Sequence, residues 1–182
     1  MVRFNPAPAV RKANAREHDA IACLIREHDV IRKLFREFEQ LAEHGGTNEE
    51  KAETAGQICF LWSVHMQLEE ELFYPAAKAV LGATAKQQHA LDDHKGSREL
   101  VAMLDELEPG DTDFDATVAV LADYVLTHMA EEEADVFPEL RQRGMEIDML
   151  GRAVAFRRKV LIGDITRAAP SPPSAAPEHA RS

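Results

Sequence analysis

Two segments of this chain are nearly superposable, and each pairs a histidine with a glutamate one helical turn away. HMQLEEELFYP begins at His65, and HMAEEEADVFP begins 63 residues later at His128. In both segments a glutamate follows the histidine by four positions and a proline follows it by ten. Residues four apart lie on one face of a helix, about 6 Å from each other. The repeat therefore predicts two helices whose His–Glu pairs can reach a common centre.

Apolar residues recur with helical period over most of the chain. The predicted helices run from about Glu17 to Glu43, from Thr47-Asn48 to a stop or kink at Pro75 with a continuation to Leu81, from Thr84 to Leu107, and from Asp113 to an interruption at Pro138. A fifth helix, from about Glu146 to Leu161, is expected to cap one end. Long amphipathic helices with short links favour antiparallel packing. The expected fold is all-α: an antiparallel up-down four-helix bundle with a short fifth C-terminal helix.

The length of 182 residues suits one domain with a substantial core. Residues 1–15 are predicted to form a flexible N-terminal arm, and residues 16–163 the helical domain. Residues 164–182 are rich in Pro, Ala and Ser, a composition typical of disordered segments, so a disordered tail is expected there.

The acidic composition disfavours some partners. The formal net charge is −11, which repels nucleic-acid phosphates and anionic membranes. No apolar run reaches the length of about 18 residues that a membrane span needs, and no secretory signal pattern begins the chain. The only cysteines, Cys23 and Cys59, lie in apolar helical patterns that favour reduced thiols. The sequence therefore predicts a cytoplasmic protein without nucleic-acid or membrane partners.

A second, weaker repeat contains two more histidines. REHDVIRKLF around His28 resembles DDHKGSRELV around His94, 66 residues later. The four histidines and the two glutamates all lie on apolar stripes, where an unpaired carboxylate costs several kcal/mol to bury. Those stripes carry no Lys or Arg. The candidate metal ligands are His28, His65, Glu69, His94, His128 and Glu132.

The ligand types restrict the metal. Six donors exceed the need of tetrahedral zinc, and imidazoles argue against Mg²⁺ and Ca²⁺. A mixed N/O set suits iron first and manganese second. Because carboxylates can bridge two ions, the set predicts a dinuclear centre, with open coordination for O₂, NO or peroxide.

Several neighbouring residues have two possible roles. His89 has a carboxylate four positions later but lies about 140° around the helix from the stripe, so it is expected on the surface. Glu70 and Glu133 form solvated faces or hydrogen-bond to the ligands. Tyr124 faces the site or, as the favoured interpretation, is a core residue with a satisfied hydroxyl.

The ordered pattern H…HxxxE…H…HxxxE resembles the hemerythrin-like HHE cation-binding family over about residues 17–161. The resemblance implies an antiparallel four-helix bundle with a non-haem di-iron site held by the six candidate ligands. It further implies that Glu69 and Glu132 bridge the two ions. Ferritin-like proteins use Glu-x-x-His instead, and no histidine here has Glu three positions before it.

The sequence departs from the oxygen-carrying hemerythrins in one respect that bears on function. Those proteins have two histidines spaced by four on the third helix, whereas Ala90 precedes His94 by four and Arg98 follows it by four. They also carry H-x-x-x-x-D on the last helix, where this chain has His128 and Glu132. The resemblance thus implies reactivity or sensing rather than reversible O₂ carriage.

Three functions remain open at this point. The first is binding or sensing of O₂, NO, peroxide or iron itself at the di-iron site. The second is an enzyme that decomposes hydrogen peroxide, as a catalase does, or reduces O₂ or NO. The third is a metal-free helical interaction module.

Overall fold

The computed structural model describes residues 19–168. The helical elements are α1 (Ala20–His44), α2 (Asn48–Leu68), a first π-helical turn (Glu69–Phe73), α3 (Tyr74–Leu81), α4 (Ala85–Glu106), α5 (Phe114–Glu131), a second π-helical turn (Glu132–Val136), α6 (Phe137–Gln142) and α7 (Ile147–Ala168). No strand occurs within 19–168. The predicted all-α class is confirmed.

The helix boundaries follow from local chemistry. Asp19 accepts a hydrogen bond from the backbone N–H of Ala22 at 3.0 Å and so caps α1. Gly45, with φ of 76°, ends α1 in the left-handed conformation that glycine adopts without strain. Thr47 and Glu50 begin α2 with reciprocal side-chain-to-backbone bonds, a capping box. The predicted break between the first two helices is therefore encoded in residues 45–50.

We expect Thr47→Ala to lower the free energy of unfolding by about 1 kcal/mol, because the backbone N–H of Glu50 loses the side-chain oxygen that caps it. Chemical denaturation monitored by circular dichroism measures this change. Gln57→Ala, an exposed substitution inside the same helix, is the control and should stay within about 0.5 kcal/mol of the parent. Equal destabilisation by the two changes would contradict a capping role for Thr47.

Both prolines of the repeat are accommodated without ending their helices. Proline cannot donate a backbone hydrogen bond, and its ring clashes with the carbonyl four residues earlier. Before each proline the chain widens into a π-helical turn, in which Tyr74 N–H donates to the Glu69 carbonyl and Phe137 N–H donates to the Glu132 carbonyl. The sequence predicted that the helices stop or kink at Pro75 and Pro138, and the structure instead has a π-helical turn before each proline. Such turns are frequent at functional sites, and each begins at a candidate ligand.

The elements pack as two helical hairpins, α1 with α2 and α4 with α5. α7 packs on α1 and α2. The expectation that the fifth helix caps one end is therefore wrong. Val154 and Leu161 are seven positions apart on one face of α7, and they pack against Val64 and Leu68 of α2. This apolar face extends along the hairpin and holds α7 on its outer side.

α7 also extends five residues into the segment assigned to the tail, because it continues to Ala168. The first proline beyond that point is at position 170, so no proline interrupts the helix before Ala168. The predicted arm, 1–15, and the remainder of the predicted tail, 169–182, lie outside the described residues.

Candidate metal centre

The structure brings all six predicted ligands into one buried cluster. They come from α1, α2, the first π-helical turn, α4, α5 and the second π-helical turn: His28, His65, Glu69, His94, His128 and Glu132. Their exposed fractions are 0% to 2%. Two carboxylates and four imidazoles are thus shielded from water.

One half of the cluster is formed by α1 and α2. His28 Nε2 lies 3.1 Å from His65 Nε2, and His65 Nε2 lies 3.2 Å from Glu69 Oε1. Glu132 Oε2 lies 3.7 Å from His28 Nε2. Two donors at about 2.1 Å from one ion, at right angles, are about 3.0 Å apart. These separations are therefore those of atoms able to share a metal ion.

The other half is formed by α4 and α5. Glu69 Oε2 lies 3.3 Å from His94 Nε2 and 3.6 Å from His128 Nε2. His128 Nε2 also lies 3.6 Å from Glu132 Oε2. Glu69 thus directs one carboxylate oxygen to each half of the cluster. This is the placement of a carboxylate that bridges two cations.

Two carboxylate oxygens in the cluster have no hydrogen-bond partner, Glu69 Oε1 and Glu132 Oε2. Burying a polar atom without a partner costs about 1–3 kcal/mol, and more for a charged group. A cation between the two halves would satisfy both oxygens. The donor set and its unsatisfied atoms therefore fit a metal site.

Burial and mutual charge shift the pKa values of the clustered side chains. Burial lowers the pKa of His28 to about 2, which keeps that imidazole neutral. Burial also disfavours a charged His65, but Glu69 and a hydrogen bond to Glu27 outweigh it and raise its pKa to about 10. Burial and the Glu69 charge raise the pKa of Glu132 well above its ordinary value. The charge of Glu69 thus favours a proton on two of its neighbours, His65 and Glu132.

Each imidazole turns its second ring nitrogen toward an outer carboxylate. The Nδ1 distances are 2.7 Å for His28 to Glu133, 3.0 Å for His65 to Glu27, 2.8 Å for His94 to Glu70 and 3.7 Å for His128 to Asp93. A carboxylate at Nδ1 keeps the proton there and leaves Nε2 as the metal-binding atom. Of the two roles open to Glu70 and Glu133, the structure shows hydrogen bonding to the histidines.

Glu27 and Asp93 were missed as histidine partners. The sequence carried a signal, because an acidic residue precedes both His28 and His94. Each is one position before its own histidine yet faces the histidine of the neighbouring helix. Only the pairing of α1 with α2 and of α4 with α5 identifies the partner.

The tyrosine at the cluster is Tyr74, not Tyr124. Tyr124 is 42% exposed, and its ring lies over Gly96, so both interpretations offered for it are wrong. The Tyr74 hydroxyl lies 3.0 Å from an oxygen of Glu69 and 3.0 Å from one of Glu132. The corresponding position in the second repeat is Phe137, so this hydroxyl breaks the symmetry of the centre.

Aromatic rings close the cluster from both sides. Trp62 stacks on His65 with ring centroids 5.3 Å apart, and its indole N–H donates to Ser97. Phe137 stacks on His28 at 5.8 Å. These contacts exclude water, and charge interactions within the cluster are stronger in the resulting low-dielectric surroundings.

Comparison with known proteins agrees with the fold. The profile of the hemerythrin HHE cation binding domain matches residues 19–140. A crystal structure of a hemerythrin HHE cation binding domain-containing protein from Mycobacterium kansasii superposes with a TM-score of 0.69 at 21% identity, covering 82% of this chain and 90% of that chain. A DNA nickase from Nostoc sp. (strain PCC 7120 / SAG 25.82 / UTEX 2576) is 29% identical over 86 residues, 47% of this chain. The chain spans about a quarter of that nickase's length, 24%. The profile match covers more than half of the chain, which therefore belongs to the hemerythrin HHE cation-binding domain family.

Proposed function

We propose that the cluster holds two iron ions and that the protein binds or senses a small ligand there, namely O₂, NO or peroxide. The observation that carries the proposal is Glu69, whose two oxygens face different pairs of histidines. His28 and His65 would hold one ion, and His94 and His128 the other. Glu69 and Glu132 would lie between them. Manganese is the second candidate, because it accepts the same donors.

A bound iron pair would supply redox-active, open coordination positions for such a ligand. The surrounding side chains orient the ligands, exclude water and offer a hydrogen bond. The outer carboxylates fix the histidine rings, and Trp62 and Phe137 exclude water. The hydroxyl of Tyr74 is the group that can donate a hydrogen bond at the centre. This arrangement suits a small, uncharged or singly charged ligand better than a large substrate.

Metal analysis of the protein, combined with an optical spectrum, tests the proposal most directly. We expect two iron ions per chain and absorption bands of a bridged ferric pair. His44→Ala, a change at the exposed end of α1, should leave both results unchanged. Well under one metal ion per chain, with a melting temperature that ignores chelators, would instead support the metal-free interaction module.

Ligand binding is tested by stopped-flow mixing of the reduced protein with O₂ or NO. We expect a new absorption band whose amplitude follows the iron content. Absence of any ligand-dependent band in protein that holds two iron ions would contradict binding of these gases.

A peroxide-decomposing enzyme is the second candidate, and the Tyr74 hydroxyl favours it. A positioned acid that transfers a proton typically contributes about 10²–10⁴-fold to a rate. We expect Tyr74→Phe to slow O₂ evolution from H₂O₂ by a factor in that range, on an oxygen electrode, at unchanged iron content. Tyr124→Phe, at the exposed tyrosine, is the matched control. An unchanged rate in Tyr74→Phe would rule out this role of its hydroxyl.

We also propose that the partner is a small molecule rather than nucleic acid and that the protein acts in the cytoplasm. The net charge of −11 disfavours binding to a phosphate backbone. Filter-binding at low salt tests the first point, and retention of labelled DNA would overturn it. No helix among residues 19–168 has the length and apolar character needed to cross a membrane.

A further inference from the structure

A metal ion needs a path into this centre, because the six ligands are 0% to 2% exposed. The first half of the cluster is covered on the outside by α7. There Glu27, the outer partner of His65, also accepts a bond from Arg158 of α7 at 2.8 Å. A pocket of about 380 Å³ does lie between α1, α2 and α7, but none of the six ligands lines it, and the side chains of Arg26, Arg158 and Lys159 in its wall repel cations. We therefore look for the path at the second half.

The second half has an opening. A pocket of about 230 Å³ lies between α4 and α5, a volume that several water molecules can fill. His128 and Glu132 line it, together with Ala90 and the exposed pair Lys86–Asp135. Glu132 carries one of the two buried oxygens without a hydrogen-bond partner. The pocket thus leads from the surface to an unsatisfied ligand.

Three side chains that can bind a metal stand beside this opening. His89 Nε2 lies 3.8 Å from Asp93 Oδ2 and 3.6 Å from Glu131 Oε2, and the three donor atoms lie within 4.8 Å of one another. His89 is exposed, as the sequence predicted, and Glu131 lines the pocket. The same Asp93 oxygen lies 3.7 Å from Nδ1 of His128. One carboxylate therefore joins this outer trio to the buried centre.

Comparison of the two halves shows that these features are not a by-product of the repeat. The first half has a thiol or a leucine at the positions that correspond to His89, Ala90, Glu131 and Asp135, namely Cys23, Leu24, Leu68 and Leu72. Cys23, Leu68 and Leu72 belong to the apolar cluster that packs under α7. Around a core that is nearly symmetric, the outer surface of one half is apolar and covered by α7, while that of the other is acidic and has a pocket that two ligands line.

We propose that His89, Asp93 and Glu131 form an outer capture site for a divalent metal ion, Fe²⁺, from which the ion passes through the pocket to the buried centre. This inference rests on the proposed metal pair. The three side chains attract the hydrated cation and replace part of its water shell. Glu132 and His128 then accept the ion at the inner end of the pocket. Such a capture site raises the rate at which metal loads, but it does not change the number of metal ions bound at the buried centre at equilibrium.

The test is the rate at which metal-free, full-length protein takes up Co²⁺, followed by the visible absorption of the bound ion. We expect the double variant His89→Ala/Glu131→Gln to load about tenfold more slowly, since local charge raises on-rates by that order or more. It should reach the parent's final metal content. Release to a chelator should slow by the same factor, because a site on the path alters both directions equally.

Two further variants separate the causes. Glu43→Gln/His44→Ala makes the same changes at the exposed end of α1 and should load at the parent's rate. Ala90→Leu places in the pocket wall the leucine that the first half has at the corresponding position, Leu24, and it should also slow loading. Equal slowing in the α1 control, an unchanged rate in His89→Ala/Glu131→Gln, or a lower final metal content in that variant would each overturn the capture site. Failure of the parent protein to bind Co²⁺ would overturn the proposed metal pair itself, and the capture site with it.

Discussion

Removal of the metal with a chelator is expected to lower the melting temperature of the protein by about 10 °C. A ligand that binds only the folded chain stabilises it by about 4 kcal/mol when present at 1,000 times its dissociation constant. For a chain of this size, each kcal/mol shifts the melting temperature by about 2–4 °C. The structural cause is specific. Without a cation, Glu69 and Glu132 each keep a buried oxygen that has no hydrogen-bond partner.

Differential scanning calorimetry with and without chelator measures this shift. The matched control is the double variant Glu69→Gln/Glu132→Gln, which keeps the side-chain shapes but removes the two charges that hold cations. Its melting temperature should hardly respond to chelator. A parent protein that loses its bound metal and keeps its melting temperature would show that the cluster does not need a cation for stability.

The sequence was sufficient for the helices of the bundle and for the members of the cluster because both depend on periodicity. Apolar residues at helical spacing identified the helices, and the 63-residue repeat placed His65 and His128 at matching positions of two of them. The predicted ligands lie on the apolar faces of these helices, and their burial follows from that position. None of this requires knowledge of which helices are neighbours.

The features that the sequence did not provide depend on that knowledge. Glu27 and Asp93 face histidines of adjacent helices, so their roles are fixed by the pairing of α1 with α2 and of α4 with α5. Tyr74 reaches the centre because the π-helical turn before it changes the direction of its side chain relative to a regular helix. Tyr124 is four positions before His128, but its face of α5 is exposed.

The position of α7 illustrates the same limit. The periodicity of Val154 and Leu161 predicts an apolar face but not the surface that receives it. The receiving surface comprises residues of the first helical hairpin, among them Leu68 and Leu72, which the repeat replaces by Glu131 and Asp135 in the second. Two halves with the same ligands thus differ in their outer surfaces.

Replacement of one histidine should empty one half of the centre and leave the other filled. We expect His28→Ala and His94→Ala each to retain about one iron ion per chain. The outer partners of metal-binding histidines are worth about 10–100-fold in affinity, and a direct ligand is worth at least as much. The remaining ion keeps the two histidines of the intact half together with the shared carboxylates, Glu69 and Glu132.

Electron paramagnetic resonance distinguishes this outcome from partial loading of both halves. A bridged ferric pair couples its spins and is silent, whereas a single high-spin ferric ion gives a signal. Both variants should therefore acquire the signal of an isolated ion in proportion to their iron content, while His44→Ala should remain silent. Two coupled ions in His28→Ala or His94→Ala would show that the altered histidine is not a ligand. Loss of all iron from both variants would contradict two half-sites joined by Glu69, because each half has its own pair of imidazoles.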